Sequence, residues 1–81
     1  MKRIDAKFIE TVKSGDRLFF KTAEVLANDE PVFEFYTVID VLAEDVLVMK
    51  LFDQTEKREV MAKKTLMHDH HWHYQPDMHG E

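Results

Sequence analysis

The stretch VFEFYTVIDVLAEDVLVM, Val32 to Met49, decides how this chain folds. Extended, it puts Phe33, Phe35, Thr37, Ile39 and Val41 on one side and Val32, Glu34, Tyr36, Val38 and Asp40 on the other, because successive strand side chains alternate. The first set is almost wholly apolar and the second mixed, the pattern of a sheet with one side buried and the other partly covered. β-branched and aromatic residues suit a pleated surface, so the segment reads as a long strand over 32–42. Ala43-Glu44-Asp45 is short and polar enough to be a tight turn, and 46–52 then returns as a second strand.

Upstream of this hairpin, Ala27-Asn28-Asp29-Glu30-Pro31 is a polar loop closed by a proline, which cannot donate to a sheet ladder. Before it, RLFFKTAEV predicts a strand over 17–25, with Leu18, Phe20 and Thr22 opposite Phe19, Lys21 and Ala23. At the start, Ile4, Phe8, Ile9 and Val12 recur at the spacing of one helix face and predict a helix over 5–13. Asp5 is its N-cap, and Ser14-Gly15 its stop. Downstream, Asp53 to Lys57 is a second hairpin loop, and 58–62 a strand with Val60 and Ala62 inward and Glu59 and Lys63 outward. Lys64 to Met67 is a single helical turn in which Leu66 and Met67 cap the core, 68–75 a fifth strand, and 76–81 a frayed tail. Without repeats or low-complexity linkers, residues 1–75 form one small domain.

This order predicts a mainly β fold with one N-terminal helix, either a small antiparallel barrel or a strongly bent meander of four or five strands. From Asp16 to Tyr74 the element rhythm resembles that of SH3-like barrels of the Tudor or KOW kind, with a helix added in front. That resemblance implies a closed barrel. The other arrangement is an open meander with the helix laid across one face.

With 81 residues, a chain buries only about 60–65% of the surface its unfolded form exposes, so a partner or bound ion has a large relative effect on stability. The absence of cysteine excludes disulfides, thiolate catalysis and Cys-based zinc sites. MKRIDAKFIE lacks the apolar run of a signal peptide and no segment has the roughly 20 apolar residues of a membrane span, so a cytoplasmic protein is expected. The net charge of −5 is unevenly spread. Between Thr22 and Met49 there is no Lys or Arg, whereas Glu24, Asp29, Glu30, Glu34, Asp40, Glu44 and Asp45 all lie there.

That acidity directs the functional expectation. A non-catalytic module is predicted to bind a protein with a basic surface through Glu34, Tyr36, Asp40, Glu44 and Asp45 of the hairpin, aided by Trp72 and Tyr74. The plainer reading is that such charges only keep a strand face solvated and an edge unpaired. A second functional reading makes the same acids a mimic of nucleic-acid phosphate. Direct nucleic-acid binding is disfavoured, because Lys57, Arg58, Lys63 and Lys64 make a small patch against an acidic total and no recognition motif is present. The sequence is equally compatible with a monomer and a homodimer.

A third reading comes from MHDHHWHYQPDMHGE, which holds His68, His70, His71, His73 and His79. On an extended chain Asp69, His71 and His73 share one side, a donor set suited to zinc, nickel or copper. The same imidazoles titrate near neutrality, which would make this end pH-responsive. No nucleophile with a base, no paired carboxylates in a cleft and no Gly-rich phosphate loop is evident, so an enzyme is not expected.

Overall fold

The computed structural model describes residues 1–52 and 54–76. Asp53 of the expected loop, and the expected tail beyond Pro76 with its His79, lie outside the described residues. In chain order the elements are β1 (Lys2–Arg3), α1 (Ala6–Thr11), β2 (Arg17–Val25), β3 (Pro31–Val41), β4 (Asp45–Phe52), β5 (Thr55–Ala62), α2 (Lys63–His68) and β6 (Trp72–Tyr74). The six strands form one open antiparallel sheet in the order β1-β6-β2-β3-β4-β5. The sequence-predicted meander is therefore present as β2 to β5, and the closed, SH3-like alternative is not what the strands form. Instead of closing a barrel, β6 returns to the far side of β2, pairing Leu18 with Tyr74 and Phe20 with Trp72. It is also shorter than expected, because α2 runs through His68 and residues 69–71 form a turn before the strand begins at Trp72.

Both helices cover the same side of the sheet. Phe8 of α1 and Leu66 of α2 are buried in one cluster with Leu18, Tyr36, Val38, Val46, Val48 and Trp72, joined by Ile4 and Val12. This inverts the face assignment made from β3 alone. Tyr36 and Val38 lie in the core, while Phe35, on the side taken as inner, is 65% exposed. Register imposes the inversion: Leu18 sits opposite Tyr36, and Val38 opposite Val48, so one choice of inner face propagates across the ladder. The same logic reverses β5, where Val60 is 60% exposed and Met61, opposite Val46, packs on the core.

A bulge at Ile39 adds a residue to β3, since Val38 pairs with Val48 but Asp40 with Leu47. Val38 and Val41 consequently both turn toward the helices although they are three residues apart. The bulge also anchors the loop from α1. The amide of Gly15 donates to the carbonyl of Val38 (2.8 Å), and the Val38 amide donates to the carbonyl of Asp16 (2.8 Å). The Asp16 carboxylate, itself buried, accepts from the amide of Lys13 at 3.0 Å. Gly15 adopts φ +97°, the left-handed region that glycine enters without penalty. Asp5 caps α1 as expected, accepting from the Phe8 amide at 2.9 Å. The helix stops at Thr11, before the predicted end, because Val12 is already extended and sends its side chain into the core.

Candidate functional site

With both helices on one side, the described residues leave the other side of β2–β5 uncovered. Alternation puts Phe19, Phe33, Phe35, Thr37, Leu47, Met49, Leu51 and Val60 there. Phe35, Leu51 and Val60 are the most open, at 65%, 68% and 60% exposure. Phe19 is buried beneath Phe35, which meets it edge-on with ring centroids 5.2 Å apart.

The β3–β4 ladder ends at the Thr37–Met49 pair, whereas β3 continues pairing with β2 and β4 with β5. Past that pair a cleft of about 650 Å³ lies between the hairpin arms, lined by Glu34, Phe35, Thr37, Met49, Lys50 and Leu51. A Glu34–Lys50 ion pair spans it. Phe35 and Leu51 thus stand at the mouth of a cleft in an apolar sheet face.

The residues predicted to bind are scattered by this geometry. Glu34 is neutralised by Lys50, and the Asp40 carboxylate accepts from the Val41 amide at 2.8 Å, on the bulge. Tyr36 is buried; burial, and after it the negative charge of Glu59, raises its phenol above the ordinary range. Lys50 stands over its ring, 5.7 Å from the centroid. Trp72 is buried between Phe20 and Tyr36, with ring centroids 5.1 and 5.0 Å away, and Tyr74 stacks on Phe8 at 4.3 Å. The part expected of Tyr36, Trp72 and Tyr74 in binding is therefore corrected to one in packing: the rings hold the helices to the sheet. Glu44 and Asp45 remain at the turn, lining a cleft of about 420 Å³ with Ile9, Lys63, Lys64 and Met67. Lys63 is held there by two bonds, from its amide to the Glu44 carbonyl (2.9 Å) and from Nζ to the Ala43 carbonyl (3.1 Å).

Among the described residues, one group of potential metal ligands converges, and it differs from the expected trio. Asp69, His70 and His71 place donor atoms within 4.8 Å of one another in the turn between α2 and β6. Asp69 Oδ1 accepts from the His71 amide at 3.0 Å and lies 2.7 Å from His71 Nδ1. An ionised carboxylate only accepts, so Nδ1 carries a proton, and in the neutral imidazole the lone pair is then on Nε2. The amide bond, ahead of the imidazole, holds the Asp69 carboxyl below its ordinary range against the opposing effect of burial. The His70 and His71 rings are 4.3 Å apart. His73 is turned away: its Nδ1 meets the His71 carbonyl at 2.9 Å, and its ring meets Phe33 edge-on. The trio was assigned on an extended chain, whereas residues 69–71 form a turn that replaces His73 by His70.

Compared with family models, curated proteins and solved structures, the chain matches none. Among the described residues no helix is long and apolar enough to cross a membrane.

Proposed function

We propose that this protein is a non-catalytic, cytoplasmic interaction module that presents the uncovered face of its sheet to another protein. One observation carries the reading: Phe35, Leu51 and Val60 are each more than half exposed on one face, beside Leu47 and Met49. Single exposed apolar residues are ordinary, but a contiguous set on one sheet face marks a surface that gains by being covered. The acidic hairpin keeps a smaller part, with Asp40 and Asp45 supplying a polar rim at the turn end of the face. The phosphate-mimic reading has less behind it, because Glu34 is paired with Lys50 and the acids do not line one surface.

A photo-crosslinking residue at position 35, expressed in cells, is expected to give a covalent adduct, and the same residue at exposed Glu10, on α1, none. No adduct from position 35 removes the reading.

The convergence of Asp69, His70 and His71 favours a second reading, a site for zinc, nickel or copper. Asp69 would orient His71 through Nδ1 and leave Nε2 as the ligand, the arrangement by which carboxylates commonly support metal-bound imidazoles. Titration calorimetry with zinc is expected to show binding that His70→Ala and His71→Ala each weaken and His73→Ala does not. Equal loss in the His73 variant would instead restore the extended-chain trio.

A further inference from the structure

We infer that the occupant of the uncovered face is a second copy of this chain, packed sheet against sheet about a two-fold axis near Phe35 and Leu51. This rests on the interaction reading above and names its partner.

Size is the first argument. Four strands spaced by about 4.8 Å, each offering about four outward residues at roughly 6.7 Å per pair, make a face of roughly 500 Å² in projection. Accessible area exceeds projected area, so two such faces bury at least about 1,000 Å², where specific interfaces begin. Composition is the second. The centre of the face is Phe35, Thr37, Leu47, Met49 and Leu51, without a charge, as in the fully buried centre of homodimer interfaces.

Charge is the third argument. Across β2–β5 this face carries Arg17, Lys21 and Arg58 against Asp40, Asp45 and Glu56, three cations and three anions, in a chain of net charge −5. The excess negative charge therefore lies elsewhere, and two copies meeting here bring together nearly neutral surfaces. A strongly basic or strongly acidic partner gains little from such a face. Geometry is compatible as well: aligned sheets pack about 10 Å apart with interdigitated side chains, and the cleft between the β3 and β4 arms, about 650 Å³, offers room for an apolar side chain of the other copy.

Sedimentation equilibrium of the full chain, from low micromolar to several hundred micromolar, is expected to give a dimer. Leu51→Lys and Leu51→Glu, at a residue 68% exposed, should keep the wild-type circular dichroism and each raise the dissociation constant by on the order of a hundredfold or more, since each buries a charge without a partner. Near the two-fold axis, mixing the two variants should restore a dimer through the opposed charges. Phe35→Lys with Phe35→Glu repeats the test. A wild-type chain monomeric throughout, or a Leu51→Lys chain as dimeric as wild type, overturns the inference. The position-35 adduct separates this from failure of the broader reading: twice the chain mass supports the second copy, an adduct of another mass overturns it while leaving the face an interaction surface, and no adduct removes both.

Discussion

Adjacent residues of β3, Phe35 and Tyr36, should respond to truncation very differently, and the difference follows from which side the helices cover. A large aromatic side chain offers about 200 Å² for burial. Phe35 is 65% exposed, so folding removes about 70 Å² from water, worth at most about 2 kcal/mol at roughly 25 cal/mol per Å². Tyr36 is 9% exposed; about 180 Å² is removed, and with the cavity left between Trp72 and Val38, Tyr36→Ala should cost about 4–5 kcal/mol. Urea unfolding followed by circular dichroism, at the lowest usable concentration so that self-association does not contribute, compares the two. A chain of 81 residues has roughly 4–12 kcal/mol to lose. Tyr36→Ala therefore sits near the limit of folding, and Val38→Ala, on the same side and 1% exposed, is measured beside it with an expected loss of about 2 kcal/mol. Equal or greater loss from Phe35→Ala than from Tyr36→Ala would refute the face assignment and the uncovered apolar surface with it.

Other predictions are local. Asp5→Ala should destabilise by about 1 kcal/mol in the same assay, because the Phe8 amide loses the Asp5 carboxylate as its acceptor at the first turn of α1. Gly15→Ala should also cost about 1 kcal/mol: a Cβ there meets nothing within 4 Å, so the whole effect is the left-handed φ of +97°, and Gly15→Asn should cost less. For Asp69 the folded pKa lies below its ordinary value of 3.8, so its contribution is present above that pH and is lost as the pH falls through the folded value. Asp69→Asn should accordingly flatten the acid limb of stability against pH below about pH 4.

Much of the architecture is legible in residue periodicity. β2 spans 17–25 as predicted, α1 has its cap at Asp5, and the hairpin turn falls at Ala43 and Glu44. What alternation cannot reveal is which of two usable faces is inner. In β3 the set Phe33, Phe35, Thr37, Ile39 is more apolar than Glu34, Tyr36, Val38, yet the latter is covered, because Leu18, Val46, Val48 and Trp72 are committed to that side by register. The valines of β4 carried a usable signal: Val46 and Val48 are 0% exposed and share a face, and pairing Val48 with Val38 and Val46 with Val41 determines β3. The bulge at Ile39 then shifts parity within the strand, which no fixed period describes.

The candidate sites were less legible for a related reason. Acidity between Thr22 and Met49 suggested one charged surface, but alternation sends Glu34 toward Lys50 on the covered side and Asp45 to the uncovered side. Trp72 and Tyr74 were expected to aid binding, but a chain of 81 residues with two six-residue helices needs Tyr36, Trp72 and Tyr74 to complete its core. Spending these rings on the core leaves Phe35, Leu51 and Val60 on the opposite face, where nothing else in the described chain covers them. The inversion that corrected the face of β3 is thus also what created the interaction surface. If the helices lay on the Phe35 side, those three residues would be core, and the exposed side would present Glu34, Tyr36, Lys50 and Glu59, a charged face with little reason to bind itself.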